Sequence, residues 1–421
     1  MGTPSAALLA LATLSALAPA APGASPEDRP VRLSTLDGMT VEGTRLTARE
    51  SRVSLKVGAD ERLVDLADLL ELTLGETGEP PLPLLPGKDE GPEVEAEFPD
   101  RDRVPGILVR GLGETGFVVR TRHLGELEIP LEHVATVRFP AAYRSTEDPA
   151  PLAAGEKADR VLFTTGDRLD GTVRSLDATS LRLRSTAGVD RSLPLKGLLG
   201  FSLLPLGERK EEGLRVAVVL RDGSVFSGTG VTSSGAGILL EGMYDGKARV
   251  VPLDAVLGMT VRGGNGTPLS DLAPASVEVK PYWGDGPAVF DLSPRFDRAF
   301  DFEQGPPGPL RLGGRTWLRG ISMFSGTTMT WNLEGRGFSS FTASVGVDDA
   351  GPRGAVEFEV LLDGKSAWRS GVVRGVAAGA EPTALPPLDV SKAKSLALRV
   401  HAGPDDDVQD FADWVRAALV R

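Results

Sequence analysis

Cysteine is absent from the 421 residues. Disulfide staples, cysteine-ligated zinc, thiol nucleophiles and lipid attachment at a cysteine are therefore excluded, and stability has to come from burial. Histidine is nearly as scarce: His123, His133 and His401 are the three. They are too scattered for a histidine-rich metal site or a Ser-His-Asp constellation, and surface or edge positions are expected for them. Positive charge is also short, with 46 Lys and Arg against 58 Asp and Glu, a net charge of -12 and no long basic run. Nucleic-acid affinity comes largely from cations that neutralise phosphates, so no nucleic-acid partner is expected. No Walker loop, dinucleotide fingerprint or nucleophile elbow accompanies a strand-helix pattern.

Long apolar runs are missing too. The stretch Ala6 to Leu17 is Ala/Leu-rich and is followed by Ala18-Pro19-Ala20, a small-residue pattern suited to signal peptidase. It is far shorter than the roughly 20 residues that span a bilayer, so it reads as a removed export signal over residues 1–24, cleaved near Ala20, and no transmembrane segment is expected. A secreted or periplasmic protein is the expectation.

What the chain does contain, between residues 30 and 265, is a weak internal repeat. An Asp-Gly or Gly-Asp turn is followed five residues after its glycine by a second glycine: Gly38 and Gly43, Gly166 and Gly171, Gly223 and Gly228, with only the later one, Gly106, in the second unit. The second glycines stand 63, 65 and 57 residues apart, and each is followed by a closing tripeptide, Val64-Asp65-Leu66, Ile129-Pro130-Leu131, Leu193-Pro194-Leu195 or Val251-Pro252-Leu253. Period-two alternation, as in Ser180-Leu181-Arg182-Leu183-Arg184, makes each unit all-β. Strand count and spacing suggest four small SH3-like or Sm-like barrels over 30–75, 100–140, 158–206 and 213–262. The alternative is that the units pair and share strands. The recurring Asp37, Asp167 and Asp222 are explained by the turns in which they sit. Residues 76–99, 140–157 and 263–275 read as Pro-, Gly- and charge-rich linkers.

Beyond residue 276 the pattern changes. Leu312-Gly313-Gly314 is followed by Gly320-Ile321, Trp331-Asn332-Leu333, Val345-Gly346-Val347-Asp348-Asp349, the alternating Val356-Glu357-Phe358-Glu359-Val360, Asp363-Gly364-Lys365, Trp368-x-Ser370-Gly371, Leu388-Asp389-Val390 and Asp410-Phe411-Ala412-Asp413-Trp414. In that order these segments resemble the NPCBM family of carbohydrate-binding modules. The resemblance covers residues 276–421 and implies a jelly-roll-like β-sandwich and a glycan partner. The family pattern carries histidines at the positions held here by Phe324 and Phe411, which replaces two hydrogen-bonding rings by two that can only stack or pack. Two phenyl rings substituted together are expected to touch.

All five tryptophans lie in this C-terminal part. Trp331 and Trp414, flanked by apolar residues, read as core. Trp283 and Trp317, in Gly-rich loop-like settings, are candidate sugar platforms together with Phe324 and Phe411. Asp348, Asp349, Asp405, Asp407 and Asp410 could gather the oxygen ligands of a structural calcium ion, although acidic loops are commonly just solvated. Glycoside hydrolysis needs two carboxylates held about 5 to 9.5 Å apart on a rigid scaffold, and the β repeats leave no room for a hydrolase domain. The expectation is a non-catalytic protein: a sugar-binding module on a β-repeat array with protein partners, or an envelope component whose sandwich has lost sugar binding.

Overall fold

The computed structural model describes residues 29–75, 84, 87, 90–144, 152, 155, 157–204, 213–234, 236–280, 292–300, 308–375, 380–404 and 407–421. The described chain is almost entirely antiparallel β-structure, and among its residues no helix is long and apolar enough to cross a membrane. The N-terminal export signature lies outside the described residues.

The same pairing order recurs four times. Val31–Thr35 pairs with Thr40–Arg49, which pairs in turn with Arg52–Val57 and through it with Asp60–Asp65, while Leu69–Leu74 returns to the other side of Val31–Thr35. Glu93–Glu97 to Thr136–Arg138 repeats this order, as does Asp159–Phe163 to Leu198–Ser202. Arg215–Leu220 to Val256–Arg262 follows it with the second strand broken into Val225–Gly228 and Gly230–Ser234.

The glycine pair of the sequence has a distinct reason at each position. Gly38, Gly166 and Gly223 turn the first hairpin at φ +86°, +84° and +85°, and Arg101 takes φ 66° at the matching place in the second unit, where the glycine is missing. Gly43, Gly106, Gly171 and Gly228 lie in the second strand, where a Cβ would fall within 3.0 Å of the backbone carbonyl oxygen of Lys56, Arg120, Arg184 or Glu241. The strands approach so closely there that no side chain fits. Asp37 and Asp222 each accept a hydrogen bond from the backbone N–H two residues on, at 3.2 and 3.0 Å, which holds the turn.

Among the described residues no closed barrel forms. The last strand of the first unit pairs with the last strand of the fourth, Met259 opposite Leu72, and the last strands of the second and third pair in the same way, Val137 opposite Phe201. Each unit therefore leaves its own edge unclosed and shares it with a neighbour, so the strand-sharing alternative replaces four separate barrels, and a single apolar core runs from Val31 to Val261. Two expected linkers contain ordered strands. Val94 and Ala96, between the glutamates of 93–97, are fully buried, and Gly266–Pro268 pairs with the C-terminal strand.

The C-terminal part is a sandwich of two sheets around a core that includes Trp331, Phe341, Phe358 and Trp414. One sheet runs Arg295–Phe296, Gly320–Phe324, Phe411–Val420, Ser340–Val347, Thr383–Ala384. It is called the docked sheet because its outer surface meets the β array: Leu36 and Leu70 pack on Ala418, Arg416 Nη1 donates to Ser34 Oγ at 3.1 Å, and the Leu318 N–H donates to Glu71 at 3.2 Å. Partly buried ion pairs join the same two parts, Arg298 to Glu95 at 3.0 Å and Arg262 to Asp271 at 3.5 Å. The other, open sheet runs Ser276–Val279, Thr327–Asn332, Ser395–Ala402, Ala355–Leu362, Lys365–Arg374. The burial records the difference. Nearly every residue of Phe411–Val420 is buried, whereas Ser395–Ala402 alternates as a strand with one free face does.

Candidate functional site

Because the central strands of the docked sheet are buried on both faces, the sheet face open to solvent among the described residues is that of the open sheet. Across the middle of that sheet a row of side chains runs from strand to strand: Thr328 opposite Arg399, Arg399 opposite Glu359, Glu359 opposite Arg369. Arg369 Nε donates to Glu359 Oε1 at 3.1 Å, His401 Nε2 donates to Oε2 at 2.8 Å, and Arg399 Nη1 reaches Oε2 at 3.5 Å while its Nε donates to Thr328 at 3.1 Å. Burial would push the Glu359 carboxyl up, but the hydrogen bonds from Ser366, His401 and Arg369 outweigh it and hold the group at about 2. Sequence reasoning quoted Glu359 only as part of an alternating strand and did not single out Arg369 or Arg399. The usable signal was the outward register of Glu357 and Glu359 against Arg399 and His401, which needs the strand pairing to be read.

The aromatic candidates are placed otherwise than expected. Trp283 lies outside the described residues. Trp317 is a correction: it is 1% exposed, packed against Leu310, Leu312 and Val415, with the Arg32 and Arg416 guanidinium carbons 5.2 and 4.7 Å from its ring centroid. The Gly313-Gly314 turn, both residues at positive φ, folds the short hairpin back so that the indole fills the seam with the β array instead of meeting solvent. Trp331 and Trp414 are core, the first donating its N–H to the Leu272 carbonyl at 3.0 Å and the second meeting Phe358 edge-on at 5.1 Å.

Phe324 and Phe411 do meet. They stand directly opposite each other in the docked sheet with centroids 6.2 Å apart at 50°, and Phe300 stacks on Phe411 at 6.1 Å. At 4% and 8% exposed they belong to a small apolar cluster with Leu292, so as sugar contacts they too are corrected: their faces are already used by one another. Phe411→His is expected to lower stability by about 1–3 kcal/mol by stranding a polar ring in that cluster. Urea unfolding of the two proteins measures it, and an unchanged midpoint would show that the pair is not packed.

The acidic candidates mostly hold loops. Asp348 accepts the N–H groups of Arg311 and Ala350 at 3.0 and 2.9 Å, Asp349 those of Gly313 and Gly314 at 2.8 and 2.7 Å, and Asp410 that of Ala355 at 2.9 Å. Asp407 is buried, and Asp405 lies outside the described residues. Among the described residues no group of three or more His, Asp or Glu side chains is arranged to hold a metal ion. One carboxyl escaped the sequence reading: Asp413, fully buried, with no well-aligned hydrogen bond to either oxygen. Burial first, and then the neighbouring Asp348 charge, push it well above the usual carboxylate range. A carboxyl raised in the folded state stabilises at low pH and loses that contribution as pH rises through its folded value. Asp413→Asn, with the same shape and no charge to expel, is expected to flatten this dependence and add about 1 kcal/mol or more at neutral pH. Unfolding midpoints across the acid to neutral range check it, and parallel curves would mean Asp413 is ionised.

Residues 266–420 match the model of the NPCBM/NEW2 domain. The C-terminal sandwich is an NPCBM/NEW2 domain. Its match begins at residue 266, ten residues before the expected start, because Gly266–Pro268 supplies a strand and Leu269 enters the core. Among solved structures, the CBM51 module of Clostridium perfringens GH95, in complex with methyl-galactose, is 23% identical over 37% of this chain and 99% of that one, with a TM-score of 0.30. CBM51-2 with INT domains of C. perfringens ZmpB, in complex with GlcNAc, is 22% identical over 47% of this chain and 44% of that one, at 0.30. The tandem CBM51 modules of the Streptococcus pneumoniae family 98 glycoside hydrolase Sp3GH98 are 14% identical over 62% of this chain and 87% of that one, at 0.31. No curated protein matches the chain.

Proposed function

We propose that this is an exported, non-catalytic glycan-binding protein in which a β-repeat array serves as a platform for the NPCBM/NEW2 domain. The observation that carries the reading is the domain itself: its docked sheet is occupied by the array and its open sheet is left to solvent with an ordered polar row across it. Export is supported by the Ala6 to Leu17 run and the small residues after it, and protein from the native host is expected to begin near Ala21 rather than Met1. The non-catalytic reading is supported by the way Asp348, Asp349 and Asp410 are engaged by backbone N–H groups. A glycan array probed with the intact chain, with and without calcium because Asp405, Asp406 and Asp407 follow one another in the sequence, tests the proposal. Retention of a defined glycan class is expected. Silence on every glycan in both conditions would favour the second reading, a structural component that meets protein partners through the array, for which the Phe324–Phe411 pair in place of two hydrogen-bonding rings speaks.

A further inference from the structure

We propose that the row across the open sheet is a binding site for a carboxylate-bearing sugar, such as a hexuronate unit of a polysaccharide. The inference rests on the glycan-binding reading above and names the place and the chemistry. The Glu359 carboxylate lies at the centre of the row and its oxygens are taken up inside the cluster, by Arg369 on one side and His401 and Arg399 on the other. Its side chain is 3% exposed, whereas those of Arg369 and Arg399 are 48% and 38% exposed. What the cluster turns to solvent is therefore mainly guanidinium, which can only donate, with the Glu357 carboxylate, 26% exposed and 3.0 Å from Arg369 Nη1, at its edge. Arg399 Nη2 has no partner among the described residues.

Glu359 does two things for such a site. It neutralises part of the repulsion between two arginines on flanking strands, and it fixes both guanidiniums against the sheet, so that little side-chain freedom is lost when a ligand arrives. Charge complementarity points the same way. Within a chain of net charge -12, the five strands of this sheet carry Lys365, Arg369, Arg374 and Arg399 against Glu278, Glu357 and Glu359, and one of those glutamates is buried. A surface of fixed forked donors with a local positive excess suits an anionic planar acceptor, and the carboxylate of a sugar acid has that shape. A neutral sugar would leave the donors facing only hydroxyls.

The test is binding of the intact chain to three soluble polymers: polygalacturonate, which carries carboxylates, dextran sulfate, which carries sulfates, and dextran, which carries neither. Retention by polygalacturonate is expected, with weaker retention by dextran sulfate and none by dextran. Arg369→Gln and Arg399→Gln are each expected to weaken polygalacturonate binding at least about tenfold, the usual loss for one charge-assisted hydrogen bond. Arg52→Gln, which removes an exposed arginine paired with Asp65 on the β array, is expected to leave binding unchanged. Should either glutamine variant fail to fold, Arg399→Lys keeps the charge, loses the fork and is expected to bind less tightly than the native chain. Equal retention by dextran sulfate and polygalacturonate, or equal losses in Arg52→Gln and Arg399→Gln, would reduce the site to a general charge effect and overturn it. Binding of neutral glycans alone would overturn this inference and leave the proposed function standing, whereas no binding of any glycan would sink both.

Discussion

Arg319→Met is expected to destabilise the chain by about 3 kcal/mol, the lower end of what breaking a buried ion pair costs. The Arg319 side chain is 3% exposed, and its Nη1 donates at 2.8 Å both to Asp271, in the segment arriving from the β array, and to Asp297, in the sandwich. Arg262 of the array reaches Asp271 at 3.5 Å and Asp102 at 3.6 Å, so the guanidinium sits within a charge network that crosses the seam. Methionine fills much of the same space but leaves two carboxylates facing each other without that cation. The lower end applies because Arg319 Nε and Nη2 already lack partners, so the native arrangement carries part of the penalty itself.

The pH dependence should change sign with it. Burial would raise Asp297, but the Arg319 and Arg101 charges outweigh it and hold the carboxyl below the usual range. A depressed carboxyl stabilises above its unfolded value, and that contribution is lost as pH falls through the folded one. Without Arg319 the balance tips toward burial, the folded value rises, and acid should stabilise the variant relative to neutral pH. Urea melts of both proteins at neutral and mildly acid pH read this directly. A variant whose deficit is the same at both would show that Asp297 does not depend on Arg319.

The second large effect concerns the repeated glycines, where two substitutions that look alike should behave differently. Gly166→Ala places a methyl in open space at φ +84° and is expected to cost about 1–2 kcal/mol, the ordinary price of a left-handed residue. Gly171→Ala puts Cβ against the Arg184 carbonyl, which cannot swing aside as a side chain can, so the two strands must part locally. About 1–3 kcal/mol follows from overpacking alone. A larger side chain, as in Gly171→Val, should exceed the whole range because the Cβ already stands 3.0 Å from the Leu183 side chain and its branches crowd that side further. Gly106→Ala should repeat the Gly171 result, since its Cβ would meet the Arg120 carbonyl in the same way. Thermal unfolding of the set tests the ranking, and Gly171→Val no worse than Gly166→Ala would remove close strand approach as the reason for the second glycine.

Those glycines were legible in the sequence because backbone geometry acts locally and forces a residue type. The order of the sandwich segments was legible for a similar reason: Trp331, Asp348-Asp349 and the closing Asp410 to Trp414 stretch each serve a strand or a turn that needs that residue there. What covers a face is a different matter. The period of two tells which side of a strand is apolar, but not whether the opposite side meets solvent or another sheet. Phe411–Val420 has apolar or small residues on both sides, at Val415 and Ala418 as well as Trp414 and Leu419, and that near-continuous run is the mark of a strand covered twice. Glu93–Glu97 failed the other way: its three glutamates gave it a linker composition, while Val94 and Ala96 carried a half-buried strand. Trp317 and the Arg399–Glu359–Arg369 row depend on contacts between residues far apart in the chain, and no local signal marks them.

Hydrogen exchange on the intact chain, with and without saturating polygalacturonate, tests most directly the claim that the sandwich docks on one sheet and binds through the other. In the free chain Gly266–Pro268 and Phe411–Val420 should exchange as slowly as the sandwich core, because the array covers them. Ligand should then slow exchange in Ala355–Leu362, Lys365–Arg374 and Ser395–Ala402 and leave Phe411–Val420 as it was. Fast exchange of Phe411–Val420 in the free chain, or ligand protection confined to the docked sheet, would contradict the account.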